Sequence, residues 1–115
     1  MNTIDDFKML RKRVPLESDV LRAILQYLRL HKDVAWVARM NTGAMEVQGR
    51  YVKFAFKGCS DIIGQMRDGR FLAVEVKRPG KIPSANQDSF LRMVNQHGGL
   101  AFWADDVFTV EEKLK

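Results

Sequence analysis

Two carboxylates and a lysine flank a short turn in this chain. Asp61 lies near the start of Ser60-Asp61-Ile62-Ile63-Gly64-Gln65-Met66, and Glu75-Val76-Lys77 ends Phe71-Leu72-Ala73-Val74-Glu75-Val76-Lys77. Between them is Arg67-Asp68-Gly69-Arg70. Asp-Gly between runs of strand formers is a strong hairpin signal. Alternation along the second strand puts Glu75 and Lys77 on one face, with Leu72, Val74 and Val76 on the other. Register decides whether Asp61 joins the first pair. A two-residue Asp68-Gly69 loop sets Asp61 opposite Val76, on the wrong face. A three-residue loop, with Gly69 left-handed in a bulge, pairs Met66 with Arg70 and Asp61 with Glu75. The second register also gathers Ile62, Gly64, Met66, Leu72, Val74 and Val76 on one apolar face, and it is the register expected here. Opposed strand residues have Cβ atoms roughly 4.5–5.5 Å apart. Carboxylates that close repel unless one is protonated or a cation lies between them. Oxygen ligands suit Mg²⁺ or Mn²⁺, and the Val76 backbone carbonyl is a further candidate ligand. Lys77 would then orient an attacking water and stabilise negative charge on a phosphate. The blander readings are a turn cap for Asp61 and a structural ion pair for Lys77 with Glu75.

The surrounding elements must hold this hairpin. Pro15 opens a helix over about Glu17 to His31, with Val20, Leu21, Ile24, Leu25 and Leu28 at helical spacing. Strands are expected over Val34 to Asn41 and Tyr51 to Phe56, with turns at Asn41-Thr42-Gly43 and Gln48-Gly49. Pro79, Gly80 and Pro83 mark a loop. Ser84-Ala85-Asn86-Gln87 is a capping box opening a helix to about Gln96, which Gly98-Gly99 ends. Leu100 to Ala104 reads as a strand, and Thr109-Val110-Glu111-Glu112 as a second capping box. The order gives an α/β fold, a mixed sheet flanked by helices.

Two further residues have double readings. Gln87 is the expected N3 residue of its capping box, yet it shares the sheet-facing stripe of Phe90, Leu91 and Val94 and can reach the carboxylates. Glu17 suits the first turn of a helix, yet it aligns with Leu21, Ile24 and Leu28. Arg39 and Asn41 share a strand face and either bind phosphate or shape the turn. His31 and His97 sit at helix ends, where capping is expected.

The chain has 115 residues, a size for one domain: a basic arm over 1–14 and a single unit over 15–115. The formal net charge is +5. Lys8, Arg11, Lys12 and Arg13 gather at the N-terminus, and Lys53, Lys57, Lys77, Arg78 and Lys81 gather around the hairpin, as for a polyanionic partner or a solvated basic surface. No apolar run reaches the ~18 residues of a membrane span, and no leader is expected before the basic start. The single cysteine, Cys59, has no internal partner for a disulfide, and with two histidines a structural zinc site is not expected. An intracellular, reducing setting is expected.

Ser60-Asp61, Glu75-Val76-Lys77 and Gln87 with Phe90 resemble the PD-(D/E)XK nuclease superfamily. Glu17, Arg39-Met40-Asn41-Thr42-Gly43, Gly58-Cys59-Ser60-Asp61 and Gly98-Gly99 narrow the resemblance to its VRR-NUC (virus-type replication-repair nuclease) family, over about Leu16 to Val110. The resemblance implies a restriction-endonuclease-like αβββαβ core and Mg²⁺- or Mn²⁺-dependent DNA cleavage. Asp61 and Glu75 would hold metal, Lys77 would assist the nucleophile, and Gln87 and Glu17 would support the site. Arg39, Asn41, Lys53, Lys57, Arg78 and Lys81 would contact DNA. Serine stands at position 60 where the superfamily's name has proline. Stand-alone relatives are of phage or bacterial type, which implies the bacterial cytoplasm. Their likeness to Holliday-junction resolvases implies DNA-repair substrates, branched DNA and a homodimer. The alternative is a non-catalytic basic DNA-binding module that keeps the fold.

Overall fold

The computed structural model describes residues 14–40, 44–53 and 57–115, with backbone alone for 44–47 and 51–53. The N-terminal basic cluster, Asn41 and its turn, and residues 54–56 of the strand expected from Tyr51 lie outside the described residues. The elements are α1 (Glu17–Leu30), β1 (Val34–Arg39), β2 (Ala44–Val47), β3 (Arg50–Lys53), β4 (Ile62–Met66), β5 (Phe71–Val76), α2 (Ala85–Gln96), β6 (Leu100–Ala104) and α3 (Val107–Lys113).

The central sheet runs β1-β4-β5-β6. The first two pairings are antiparallel and β5-β6 is parallel, so the sheet is mixed. With α1 before β1 and α2 between β5 and β6, the core order is αβββαβ. The second expected strand is corrected. Residues from Arg50 pair with β2 in a separate two-stranded sheet, inserted between β1 and β4. The Gln48-Gly49 turn accounts for this. Both residues have positive φ, 52° and 77°, the geometry that closes a two-residue hairpin onto Val47 and Arg50.

The hairpin register is the three-residue one. Ile62 pairs with Val74, Ile63 with Ala73, Gly64 with Leu72 and Gln65 with Phe71. The Met66 amide donates to the Arg70 carbonyl at 2.8 Å and the Gly69 amide to the Met66 carbonyl at 2.9 Å, with Gly69 at φ 98°. Side chains of Ile62, Met66, Leu72, Val74 and Val76 pack with Val20, Leu21, Ile24, Leu25 and Leu28 of α1. Ile24 and Leu28 are fully buried, and burial of such a side chain contributes roughly 1.5–3 kcal/mol. The opposite face receives α2, whose Phe90, Leu91 and Val94 cover Ala73 and Ala101. Helices on both faces make β5 almost wholly buried, with Glu75 its one charged residue.

The last helix begins earlier than its Thr-Val-Glu-Glu pattern implied. Asp106 is the N-cap and accepts from the Thr109 amide at 2.7 Å and the Thr109 hydroxyl at 2.8 Å. Thr109 is therefore the third helical residue, and the carboxylate three positions before it does the capping.

Candidate metal and DNA site

Asp61 stands one residue before β4, where the β4-β5 ladder stops. Continuing the register sets it opposite Glu75. Its Oδ2 accepts from the Val76 amide at 2.8 Å. This bond has a physical cause. The Lys77 amide points to β6, where it donates to the Ala104 carbonyl at 3.0 Å, so alternation directs the Val76 N–H and C=O towards the β4 side. Beyond the end of β4, the Asp61 carboxylate takes the place of a ladder carbonyl. Asp61 thus caps a backbone group and faces Glu75, so the turn-cap and site readings of this residue coexist.

Two local features hold the Asp61 loop. Ser60 is fully buried, and its hydroxyl donates to the Ile62 carbonyl at 2.9 Å, shaping the bend. Gly58, at φ 87°, presses on the first turn of α2. A Cβ there would lie 2.4 Å from the Asn86 carbonyl oxygen. The Met40 amide also donates to the Asp61 carbonyl at 2.7 Å, tying the end of β1 to the loop. The backbone contact at Gly58 was not legible, because a glycine in a loop does not disclose what it approaches.

Glu75 is 2% exposed. Its Oε1 accepts from Gln87 Nε2 at 2.9 Å and lies 3.7 Å from Lys77 Nζ. Its Oε2 is buried with no hydrogen-bond partner among the described residues. Burial pushes its carboxyl pKa up to about 8, reinforced by the neighbouring Asp61 carboxylate. Lys77 opposes the rise and Glu17 adds to it. Cys59, also buried, has its thiol pushed up by burial and by the charges of Glu75 and Asp61, which places this cysteine beside the cluster.

Gln87 performs both of its readings at once. Its Oε1 accepts from the Ser84 amide at 2.8 Å, its own amide donates to Ser84 Oγ at 3.3 Å, and its Nε2 holds Glu75. The two ends of one amide close the capping box and clamp the carboxylate. Glu17 is exposed at the start of α1 and acts on Glu75 through its charge alone, with no hydrogen bond or ion pair to the cluster. Arg39, Lys57 and Lys81 are exposed and Arg78 is half-buried. Among the described residues these four cations have no carboxylate partner within salt-bridge distance. Lys53 ends β3, with its side chain outside the described residues, as is Asn41. His31 and His97 are the C-caps of α1 and α2, away from the cluster.

The donor set fits a hard divalent cation. An orphaned, buried carboxylate oxygen facing a second carboxylate is an electrostatic deficit that a cation removes. The described residues hold no group of three His, Cys, Asp or Glu side chains arranged for a metal. Two carboxylates and a carbonyl leave the remaining positions to water and phosphate, as Mg²⁺ prefers, and do not make a zinc site.

A mixed sheet of this order, carrying its carboxylates and lysine where the two central strands end, is a nuclease-like α/β fold. A family model for the VRR-NUC domain matches residues 8–105, and the chain belongs to the VRR-NUC family. Such a domain is a nuclease module with DNA as its substrate, and its family is generally dependent on a divalent metal. Comparison with curated proteins and with solved structures gave no match.

Proposed function

We propose that this chain is a Mg²⁺- or Mn²⁺-dependent endodeoxyribonuclease that selects branched DNA, four-way junctions included, and works as a homodimer with one site per subunit. The observation that carries the reading is Glu75: buried, clamped by Gln87 and Lys77, and left with one oxygen unpartnered beside Asp61. Asp61, Glu75 and the Val76 carbonyl would hold the ion. When bound there, a divalent ion lowers the pKa of a water and neutralises the scissile phosphate. Gln87 fixes the Glu75 carboxylate so that Oε2 faces the site. Lys77, 15% exposed, keeps its ammonium within reach of both Glu75 and an incoming phosphate, where it orients the nucleophile and offsets charge in the transition state. Arg39, Lys57, Arg78 and Lys81 anchor flanking phosphates. Such contacts position DNA without reading bases, which favours selection by shape.

The test is cleavage of labelled four-way junctions, flaps and duplex with Mg²⁺, Mn²⁺ or EDTA, alongside calorimetric metal titration. Metal-dependent cutting of branched DNA is expected, and Asp61→Asn is expected to lose both cutting and metal binding. Salt-sensitive DNA binding with no metal-dependent cleavage by the wild type would instead identify a non-catalytic DNA-binding module.

A further inference from the structure

A wide groove runs from the Asp61 loop along the face of the sheet that α2 covers only in part. It has a volume of about 780 Å³. Its near end is formed by Met40, Cys59 and Phe90. Met40 donates its amide to the Asp61 carbonyl, Cys59 lies two residues before Asp61 in the chain, and Phe90 is one turn beyond Gln87. The groove continues over Ile63, Phe71 and Met93 to Arg70 and His97. Phe71 and Met93 are 42% and 47% exposed, so apolar surface is open to solvent along its length. An occupant of this groove lies beside the loop that carries Asp61.

We propose that this groove is a subsite for unpaired nucleobases of the DNA substrate, next to the bond that is cut. The inference rests on the nuclease reading and adds to it the part of the branched substrate that is held beside the site. DNA phosphates do not enter an apolar groove, because their desolvation is too costly. Base faces do, and they stack on aromatic and apolar side chains irrespective of sequence. In a duplex those faces are already stacked. Only nucleotides freed at a flap, a fork or a junction can occupy the groove, so it selects branched DNA by what the branch exposes. Arg70 at the far end supplies a cation for the backbone of the strand so bound, shared with its ion-pair partner Asp68 at 2.8 Å.

The experiment uses the full chain in EDTA, where no metal supports cutting. Flap DNA carries 2-aminopurine at an unpaired position next to the branch, and a fully paired duplex serves as control. The wild type is expected to change the fluorescence of the unpaired 2-aminopurine. Phe71→Ala and Met93→Ala are each expected to weaken flap binding about tenfold, the order of one lost stacking contact, while duplex affinity stays the same. Both side chains are exposed, so neither change empties the core, and urea unfolding checks each variant. Equal loss on flap and duplex, or no loss on either, overturns the subsite. So does a change of sedimentation in Phe71→Ala with DNA affinity unaltered, which would assign the groove to a second copy of the chain. Cleavage in Mg²⁺ or Mn²⁺ is read separately. A wild type that stacks the base yet cuts nothing defeats the nuclease reading alone, and one that cuts but never stacks the base defeats the subsite alone.

Discussion

Replacing Glu75 with glutamine is expected to stabilise the metal-free protein while abolishing its response to metal. The Glu75 carboxyl has its pKa raised from 4.5 to about 8, first by burial and then by Asp61. The folded state therefore binds more protons than the unfolded chain between these values, and stability falls as pH rises through that window. The favourable contribution is complete below pH 4.5 and lost as pH passes through about 8. A pKa unit corresponds to roughly 1.4 kcal/mol, so the full cost of ionising Glu75 without metal is on the order of 5 kcal/mol. Glu75→Gln removes that cost and keeps an oxygen for the Gln87 amide, although Lys77 loses its partner, which reduces the gain. Urea unfolding of both proteins from pH 5 to pH 9 in EDTA measures the difference. The wild type is expected to lose stability relative to the variant across this range, reaching a deficit of several kcal/mol by pH 8 to 9. Added Mn²⁺ should restore the wild type, because a ligand bound only by the native state stabilises it, and should leave the variant unchanged. A wild type as stable as Glu75→Gln at pH 8 in EDTA would refute the electrostatic account of the site.

Three further outcomes test the architecture around that carboxylate. Lys77→Ala should slow cleavage by about 10² or more, the scale of losing one charge-stabilising group, with DNA affinity largely kept. Equal rates in a single-turnover assay would remove Lys77 from the mechanism. Ser84→Ala should cost about 1 kcal/mol through the helix cap alone and leave cleavage near wild type, whereas Gln87→Ala should lose similar stability and also weaken metal binding. Matching metal affinities in the two variants would deny the Gln87 clamp. Gly69→Ala meets no atom within 4 Å and should cost about 1–2 kcal/mol from its left-handed backbone. Gly58→Ala adds a clash with the Asn86 carbonyl and should cost more in urea unfolding, with cleavage impaired because the Asp61 loop is displaced.

Much of the molecule was readable in local pattern. Strand alternation and the Asp-Gly turn have short, rigid geometry, so counting outward from Gly69 predicted the pairing of β4 with β5 and the side-chain face of Glu75. Helical spacing predicted α1, and Ser84 with Gln87 predicted the start of α2. The misreadings lie where a local pattern has more than one solution. Thr109-Val110-Glu111-Glu112 matches a capping box, but Asp106 reaches the same amide first. Residues 44–47, Ala-Met-Glu-Val, carry only one β-branched side chain, so the pattern did not reveal the strand that draws β3 away from the central sheet.

Asp61, Glu75 and Lys77 were recognisable as a set because carboxylates and a lysine on adjoining strands are determined by register, a property of the chain's own periodicity. What those groups experience was decided only by tertiary structure. Glu75 becomes a buried, proton-retaining acid because α2 closes over its face of the sheet. Asp61 bonds the Val76 amide with its side chain because β4 begins at Ile62, short of the Ser60 carbonyl that a continued ladder would supply. Gln87, legible as either a cap or a site residue, is both, because packing α2 against β5 brings the free end of its amide to Glu75. Residue types and spacing can be counted along a strand, whereas desolvation, and the partners a polar group finds, depend on which distant element covers it.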